Sequence, residues 1–214
     1  GLCENCQNAG SKVGGVKMNI IKWLFALILL VGLFGCREKI DPEVDDFVEY
    51  GWTLYAERDF VSALAHFQEG LVMDTQYIDG YNGAGWCYIE FNSPDTAITF
   101  FNSGLDLITI DSSQVRFEML AGIALSYHVT GDYVRAISRG EEIIEFRPVF
   151  EFTHNWRIDY AEITIMLAAA NYAAGDFAAA LGWVQNLDED FVADVSTNEG
   201  RAELIKKIEA LQDL

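Results

Sequence analysis

The stretch GWTLYAERDFVSALAHFQEGL (residues 51–71) returns thirty-four residues later as GWCYIEFNSPDTAITFFNSGL (residues 85–105). Overlaid without a gap, the two share Gly51-Trp52 with Gly85-Trp86, Ala63 with Ala97, Phe67 with Phe101, and Gly70-Leu71 with Gly104-Leu105. Self-similarity at such a period marks a stacked repeat, whose single unit is too small to bury its own apolar face. Two weaker copies follow at longer spacings. One carries Ala124, Tyr127, Gly131-Asp132-Tyr133, Ala136 and Pro148; the other carries Ala168, Gly175-Asp176-Phe177 and Ala180.

Each copy reads as a helical hairpin. Phe47, Tyr50, Gly51 and Leu54 follow the i, i+3, i+4, i+7 spacing of one helix face. A turn at Glu57-Arg58-Asp59-Phe60 separates them from a second stripe of Ala63, Leu64, Phe67, Gly70 and Leu71. Every turn supplies a residue suited to an N-cap: Asp59, Ser93, Asp132 and Asp176. Pro94 adds a first helical position where a missing N–H costs nothing. Small residues at Gly51, Gly85, Ala124 and Ala168 face Ala63, Ala97, Ala136 and Ala180, so the paired helices can approach closely.

This order of small residue, aromatic, Gly-Asp-aromatic turn, Ala and Phe resembles the tetratricopeptide repeat. The resemblance implies an all-α solenoid of about four hairpins over residues 44–188, closed by a C-terminal capping helix within 189–214. For that last helix, Ser196-x-x-Glu199 forms a capping box, and Leu204, Ile205, Ile208 and Leu211 supply one apolar face. The chain departs from the repeat at Gly140 and Asn171, where an aromatic is usual. Insertions around Thr109–Val115 and Val149–Asp159 also break the period. The second, carrying Phe150, Phe152, His154 and Trp156, reads as a packed excursion.

The N-terminal part reads as an address. The uncharged run WLFALILLVGLF (residues 23–34) is too short to span a bilayer, which takes roughly 20 apolar residues, but it suits a signal-peptide h-region. Lys22 provides the positive flank, and Met18 opens it. Translation is therefore expected to begin at Met18, leaving residues 1–17 as upstream read-through or a tail. Leu33-Phe34-Gly35-Cys36 resembles the lipobox of bacterial lipoproteins. That resemblance implies a signal peptide over 18–35, cleavage between Gly35 and Cys36, lipidation of Cys36 and a tether over 36–43. Two or three acyl chains anchor stably where one does not, and Arg37 in the next position points to the outer membrane. The competing readings are a plain signal anchor and a secreted protein cleaved nearby.

Composition narrows the function. With 33 acidic against 14 basic residues the formal charge is −19, while 51% of the chain is hydrophobic. That apolar content excludes a disordered chain, and the charge argues against nucleic acid. No nucleophile elbow, zinc helix, Walker loop or dinucleotide fingerprint occurs. Cys3-x-x-Cys6 is half of a zinc site with no second half. Cys87 is a lone thiol in an apolar helix, and His66, His128 and His154 are scattered. The acidic turn Asp188-Glu189-Asp190 with Asp194 lacks the glycine and ligand spacing of a calcium loop. No catalytic residue, metal or cofactor is expected.

Trp52 and Trp86 stand out. At about 100° per residue they fall roughly 90° or more from the centre of their helices' apolar face, with Tyr55, Asn82, Ile89, His128 and Tyr172 on the adjoining flank. In the repeats this chain resembles, that flank lines a concave peptide-binding groove. The residues then read in two ways: as an aromatic partner-binding groove, or as packing between successive hairpins. The basic residues of a carboxylate clamp are missing, with Val48, Asn82, Ala121 and Ile165 in the comparable places. A rim of Asp45, Asp79, Glu118 and Glu162 would favour a neutral or basic protein or peptide partner. The expected function is a lipid-anchored, non-enzymatic adaptor of the bacterial cell envelope, periplasm-facing. The alternative is an envelope lipoprotein that binds a small ligand or glycan on its aromatic surface.

Overall fold

A computed structural model describes residues 43–109 and 113–212. The expectations for Met18, the signal peptide, Cys36 and the Cys3/Cys6 pair lie outside the described residues. Within them are nine α-helices: α1 (Val44–Ala56), α2 (Phe60–Met73), α3 (Ile78–Glu90), α4 (Pro94–Leu105) and α5 (Gln114–Val129), then α6 (Tyr133–Phe146), α7 (Tyr160–Ala174), α8 (Phe177–Gln185) and α9 (Asn198–Gln212). The first eight pair as hairpins α1/α2, α3/α4, α5/α6 and α7/α8, and each second helix also packs on the first helix of the next hairpin. First helices touch one another in sequence, α1 on α3, α3 on α5 and α5 on α7. The architecture is therefore an all-α solenoid of four helical hairpins closed by α9.

One turn is built four times. Its middle residue takes a left-handed backbone: Arg58 (φ 65°), Asn92 (φ 53°), Gly131 (φ 79°) and Gly175 (φ 87°). The following N–H then reaches back to the first helix, from Asp59 to Leu54 O, Ser93 to Tyr88 O, Asp132 to Tyr127 O and Asp176 to Asn171 O, each at 2.9 Å. That bond closes the helix end, and the same residue opens the next helix. The carboxylates of Asp59, Asp132 and Asp176 accept from the backbone N–H of Ser62, Arg135 and Ala179 at 3.2, 3.1 and 2.9 Å. Ser93 departs from the expected cap. Its hydroxyl donates to Phe91 O at 3.4 Å, and Pro94 at the first helical position leaves one fewer N–H to satisfy.

The hairpins interlock through rings seated on glycines. Phe67 of α2 packs on Gly51 of its own hairpin and on Gly83 of the next, where an added Cβ would lie 2.7 and 2.3 Å from the ring. Phe101 does the same with Gly85 and Gly122, at 2.4 Å on both sides. At the third junction the bulk changes sides. Gly140 stands where Phe67 and Phe101 stand, and Met166 stands where Gly83 and Gly122 do. A Cβ at Gly140 would meet Leu167 at 2.8 Å and Met166 at 2.9 Å. The departure from the repeat pattern at Gly140 is thus a size exchange that keeps the junction filled.

Two expectations are corrected. Tyr50 is 52% exposed, and the buried side of α1 is Val48, Gly51, Trp52, Leu54 and Tyr55. A single stripe cannot describe a helix covered by its partner on one side and by neighbouring first helices on others. In α7 the whole run Ile163–Ala168 is buried. At the C-terminus, Thr197 rather than Ser196 caps α9, its hydroxyl accepting from Gly200 N at 3.0 Å, while Ser196 Oγ donates to Asp194 at 2.6 Å. Leu204 and Ile208 of α9 cover Ala168, Ala180 and Val184. Cys87 is a core residue, its thiol pushed up to about 12 by burial, then by Glu90.

The ring–glycine contact sets a stability test. Gly122→Ala should cost about 1–3 kcal/mol by overpacking Phe101. Combining it with Phe101→Leu should cost less than the two single effects added together, because both act on one contact. Urea denaturation measures this; strict additivity would refute the interlock.

Candidate partner groove

The concave side of the first three hairpins is occupied by the chain itself. Residues 147–159, between α6 and α7, form an excursion whose base is tied by Tyr160 N–H donating to Phe150 O at 2.8 Å and Phe152 N–H donating to Ile158 O at 2.8 Å. An isolated antiparallel bridge pairs Glu151 with Asp159. Phe150 and Phe152 flank Glu151 on the bridged stretch, and a turn closed by Asn155 N–H donating to Phe152 O at 3.3 Å carries Thr153 and His154. Phe150 and Phe152 are buried.

The aromatic side chains form a continuous stack. Phe152 lies 4.4 Å from Trp86 with ring planes 19° apart, and meets Trp52 edge-on at 5.9 Å. His154 stacks flat on the other tryptophan, 3.7 Å from Trp52 with planes 2° apart. Trp52 in turn packs edge-on to Phe67 at 4.9 Å, and Trp86 to Phe101 at 5.8 Å. Such pairs add roughly 0.5–1.5 kcal/mol each beyond the area they bury. Trp86 is left 1% exposed and Trp52 6%. Of the two sequence readings, the geometry shows the packing one: the tryptophans lie against neighbouring helices, and the excursion covers their remaining surface.

Beneath the rings runs a polar relay. Trp52 Nε1 donates to Asp79 Oδ2 at 2.7 Å. Asn82 Nδ2 donates to Asp79 Oδ1 at 3.2 Å and to Glu118 Oε2 at 2.9 Å. The other Glu118 oxygen accepts from Thr153 N at 3.2 Å, Thr153 Oγ1 at 2.6 Å and Gln114 Nε2 at 3.3 Å. Gln114 Nε2 also donates to Glu151 O at 2.7 Å. Glu118 is 1% exposed and receives neutral donors from α3, α5 and the excursion. Burial raises the Asp79 carboxyl above its usual range, opposed by the hydrogen bonds from Trp52 and Asn82. The acidic rim expected from sequence is corrected accordingly: Asp79 and Glu118 point into the relay, whereas Asp45 stays exposed and Glu162 is half-buried.

The seven residues read as one surface separate into two groups. Trp52, Tyr55, Asn82 and Trp86 gather beneath or beside the excursion, Tyr55 Oη donating to Glu90 Oε1 at 3.2 Å. Ile89 lines a small hollow with Leu125 and Val129. His128 packs against Tyr133 at 5.8 Å, and Tyr172 Oη donates to Arg201 O of α9 at 3.2 Å. Sequence reasoning placed Phe152 and His154 in a packed excursion without joining them to the tryptophans, and it missed Thr153. At the excursion's tip, Tyr55, Arg58, Phe60, Glu90, Trp156 and Arg157 contribute to a cavity of about 420 Å³, with Trp156 73% exposed.

Two measurements test this geometry. Trp86→Ala should lower stability by roughly 3–5 kcal/mol, as a fully buried aromatic does; a change below about 1 kcal/mol in a denaturant titration would refute its packing role. The second is pH. Burial holds the His154 imidazole below its usual range, against the pull of Asp79 and Glu118, and burial lowers His128 likewise. The folded state therefore binds protons less readily than the unfolded chain, and stability should fall as pH drops from about 7.5 to about 5.5. Asp79 and Glu162 are shifted the opposite way by burial, so the histidine is isolated by comparison with a variant rather than by the wild-type slope alone. His154→Phe keeps the stack without a titrating group, so its melting temperature should vary less across that window; a slope as steep as wild type would contradict the assignment.

No family model matches the chain, and no curated protein matches it in sequence. Solved structures do match in fold. The MamA protein aligns at 16% identity over 71% of this chain and 79% of its own, with a TM-score of 0.54. YrrB, a TPR protein with an unusual peptide-binding site, aligns at 14% identity over 78% and 86%, with a TM-score of 0.52. PilF of Pseudomonas aeruginosa aligns at 16% identity over 75% and 67%, with a TM-score of 0.54. At these identities the likeness is one of fold: the chain has the helical-repeat architecture of tetratricopeptide-repeat structures.

Proposed function

We propose that this chain is a lipid-anchored, non-enzymatic adaptor of the bacterial cell envelope that holds a protein partner on its helical-repeat surface. The observation that carries the reading is the occupied groove. An aromatic-bearing loop sits across α1, α3 and α5, with Phe152 between the tryptophans, His154 on Trp52 and the Thr153 N–H on a carboxylate, so this surface accepts rings and backbone donors of a peptide chain. YrrB, similar in fold, is described by its peptide-binding site. The net charge of −19 favours a neutral or basic partner. The apolar run before Gly35-Cys36 supports the anchor, and Arg37 supports the outer membrane as its destination. The exposed ring of Trp156 beside Arg157 keeps glycan or small-ligand binding as a second reading.

In-cell crosslinking followed by recovery from native membranes separates the two. One dominant crosslinked protein is the expected result; its absence together with retention on immobilised glycan would favour the second reading. The anchor has its own test. Cys36→Ala, expressed with its leader, should lose lipid label and accumulate uncleaved, and normal processing with detergent-phase partitioning would overturn the lipoprotein assignment.

A further inference from the structure

Hydrogen bonding beneath the excursion is incomplete. Two buried polar atoms on its floor have no hydrogen-bond partner among the described residues: Trp86 Nε1, a donor, and Asn82 Oδ1, an acceptor. The amide orientation of Asn82 is fixed, since its Nδ2 serves both Asp79 and Glu118. The two residues are one helical turn apart on α3, so their side chains are neighbours. Buried donors and acceptors are nearly always paired in folded proteins, and leaving one unpaired is costly. The excursion thus supplies rings to the aromatic slot and donors to Glu118, yet one donor and one acceptor of α3 stay unmet.

We propose that Phe150–His154 is an intramolecular stand-in for the partner, and that the partner is an extended segment of matching chemistry that displaces it. This rests on the adaptor reading above. The displacing segment carries an aromatic side chain for the slot between Trp52 and Trp86 and N–H or hydroxyl donors for Glu118. It also presents an acceptor to Trp86 Nε1 and a donor to Asn82 Oδ1, from its backbone or from Asn or Gln. It gains the two bonds that the excursion does not make. The backbone bonds from Tyr160 N–H to Phe150 O and from Phe152 N–H to Ile158 O join the two sides of the excursion to each other, so it can lift as one loop while α6 and α7 stay packed. While the groove is filled, an incoming segment binds only in proportion to the open fraction.

The test uses the full chain and a synthetic peptide copying residues 149–156. Thr153→Ala with His154→Ala loosens the arm at Glu118 and Trp52 while leaving Phe152 in place, and Phe152→Ala empties the slot. Either variant, folded by circular dichroism, should bind the peptide at least about tenfold more tightly than wild type, read by tryptophan fluorescence. A peptide with Ala at the place of Phe152 should not bind. Folded variants that bind no better than wild type overturn the proposal. Loss of the fold in both variants also overturns it, because the excursion would then be core rather than a stand-in. Partner crosslinking that is equal in wild type and both variants would preserve the adaptor reading and remove the gate. Peptide binding to the variants without any crosslinked partner would do the reverse.

Discussion

The structure depends on a ring from each second helix finding a missing side chain on two first helices at once. Phe67 needs both Gly51 and Gly83, and Phe101 needs both Gly85 and Gly122. A glycine inside a helix costs about 1 kcal/mol relative to alanine, and these glycines stand in helices that are otherwise ordinary. What offsets that cost is a fully buried phenylalanine, worth about 1.5–3 kcal/mol, placed across the boundary between two hairpins. Each repeat thereby owns only part of its core. The contact also sets how close neighbouring hairpins come, so the spacing of everything on the concave side follows from it.

That spacing is what brings Trp52 and Trp86 one repeat apart with room for a flat ring between them. The aromatic path then runs without a break from Phe67 through Trp52 and Phe152 to Trp86 and Phe101. The ring that locks one hairpin to the next is in contact with the ring that receives the excursion. At the third junction the lock is inverted, with Gly140 facing Met166 and Leu167, and no tryptophan accompanies it. There the chain places the excursion's own base, between α6 and α7, rather than a continuation of the aromatic floor.

Much of this was legible in the sequence because repetition is a property of the chain itself. The thirty-four-residue period, the capping carboxylates at Asp59, Asp132 and Asp176, and the apolar face of the last helix each follow from local pattern and chain geometry. The groove was legible only in part. Helical periodicity located Trp52 and Trp86 off the main stripe, which is correct as geometry, but it assumes that one side of each first helix meets solvent. The segment that removes the solvent lies 100 residues from Trp52 and 66 from Trp86, and no local rule joins Phe152 to either. Glu118 was misplaced to a rim for the same reason: its partners Asn82 and Thr153 come from other elements. Tyr172 and His128 sit on the right flank of their helices but beyond the reach of the excursion, because α9 and Tyr133 cover them.

The polar relay explains why the excursion sits in one register rather than sliding along an aromatic floor. Ring stacking tolerates displacement along the slot, so it gives strength without fixing position. Glu118 fixes it. A carboxyl group buried among neutral donors must keep those donors, because a buried acceptor left unmet is costly. Thr153 supplies two of them, from N–H and hydroxyl, and Asn82 supplies another while holding Asp79, which in turn holds Trp52. The register of the excursion is therefore tied through three side chains to the orientation of a tryptophan two helices away. Moving the arm by one residue would strand Glu118 and tilt no ring into a better place. The same argument defines what can replace it: rings of the right size confer affinity, but only a chain presenting donors at the Thr153 position satisfies the buried Glu118 oxygens.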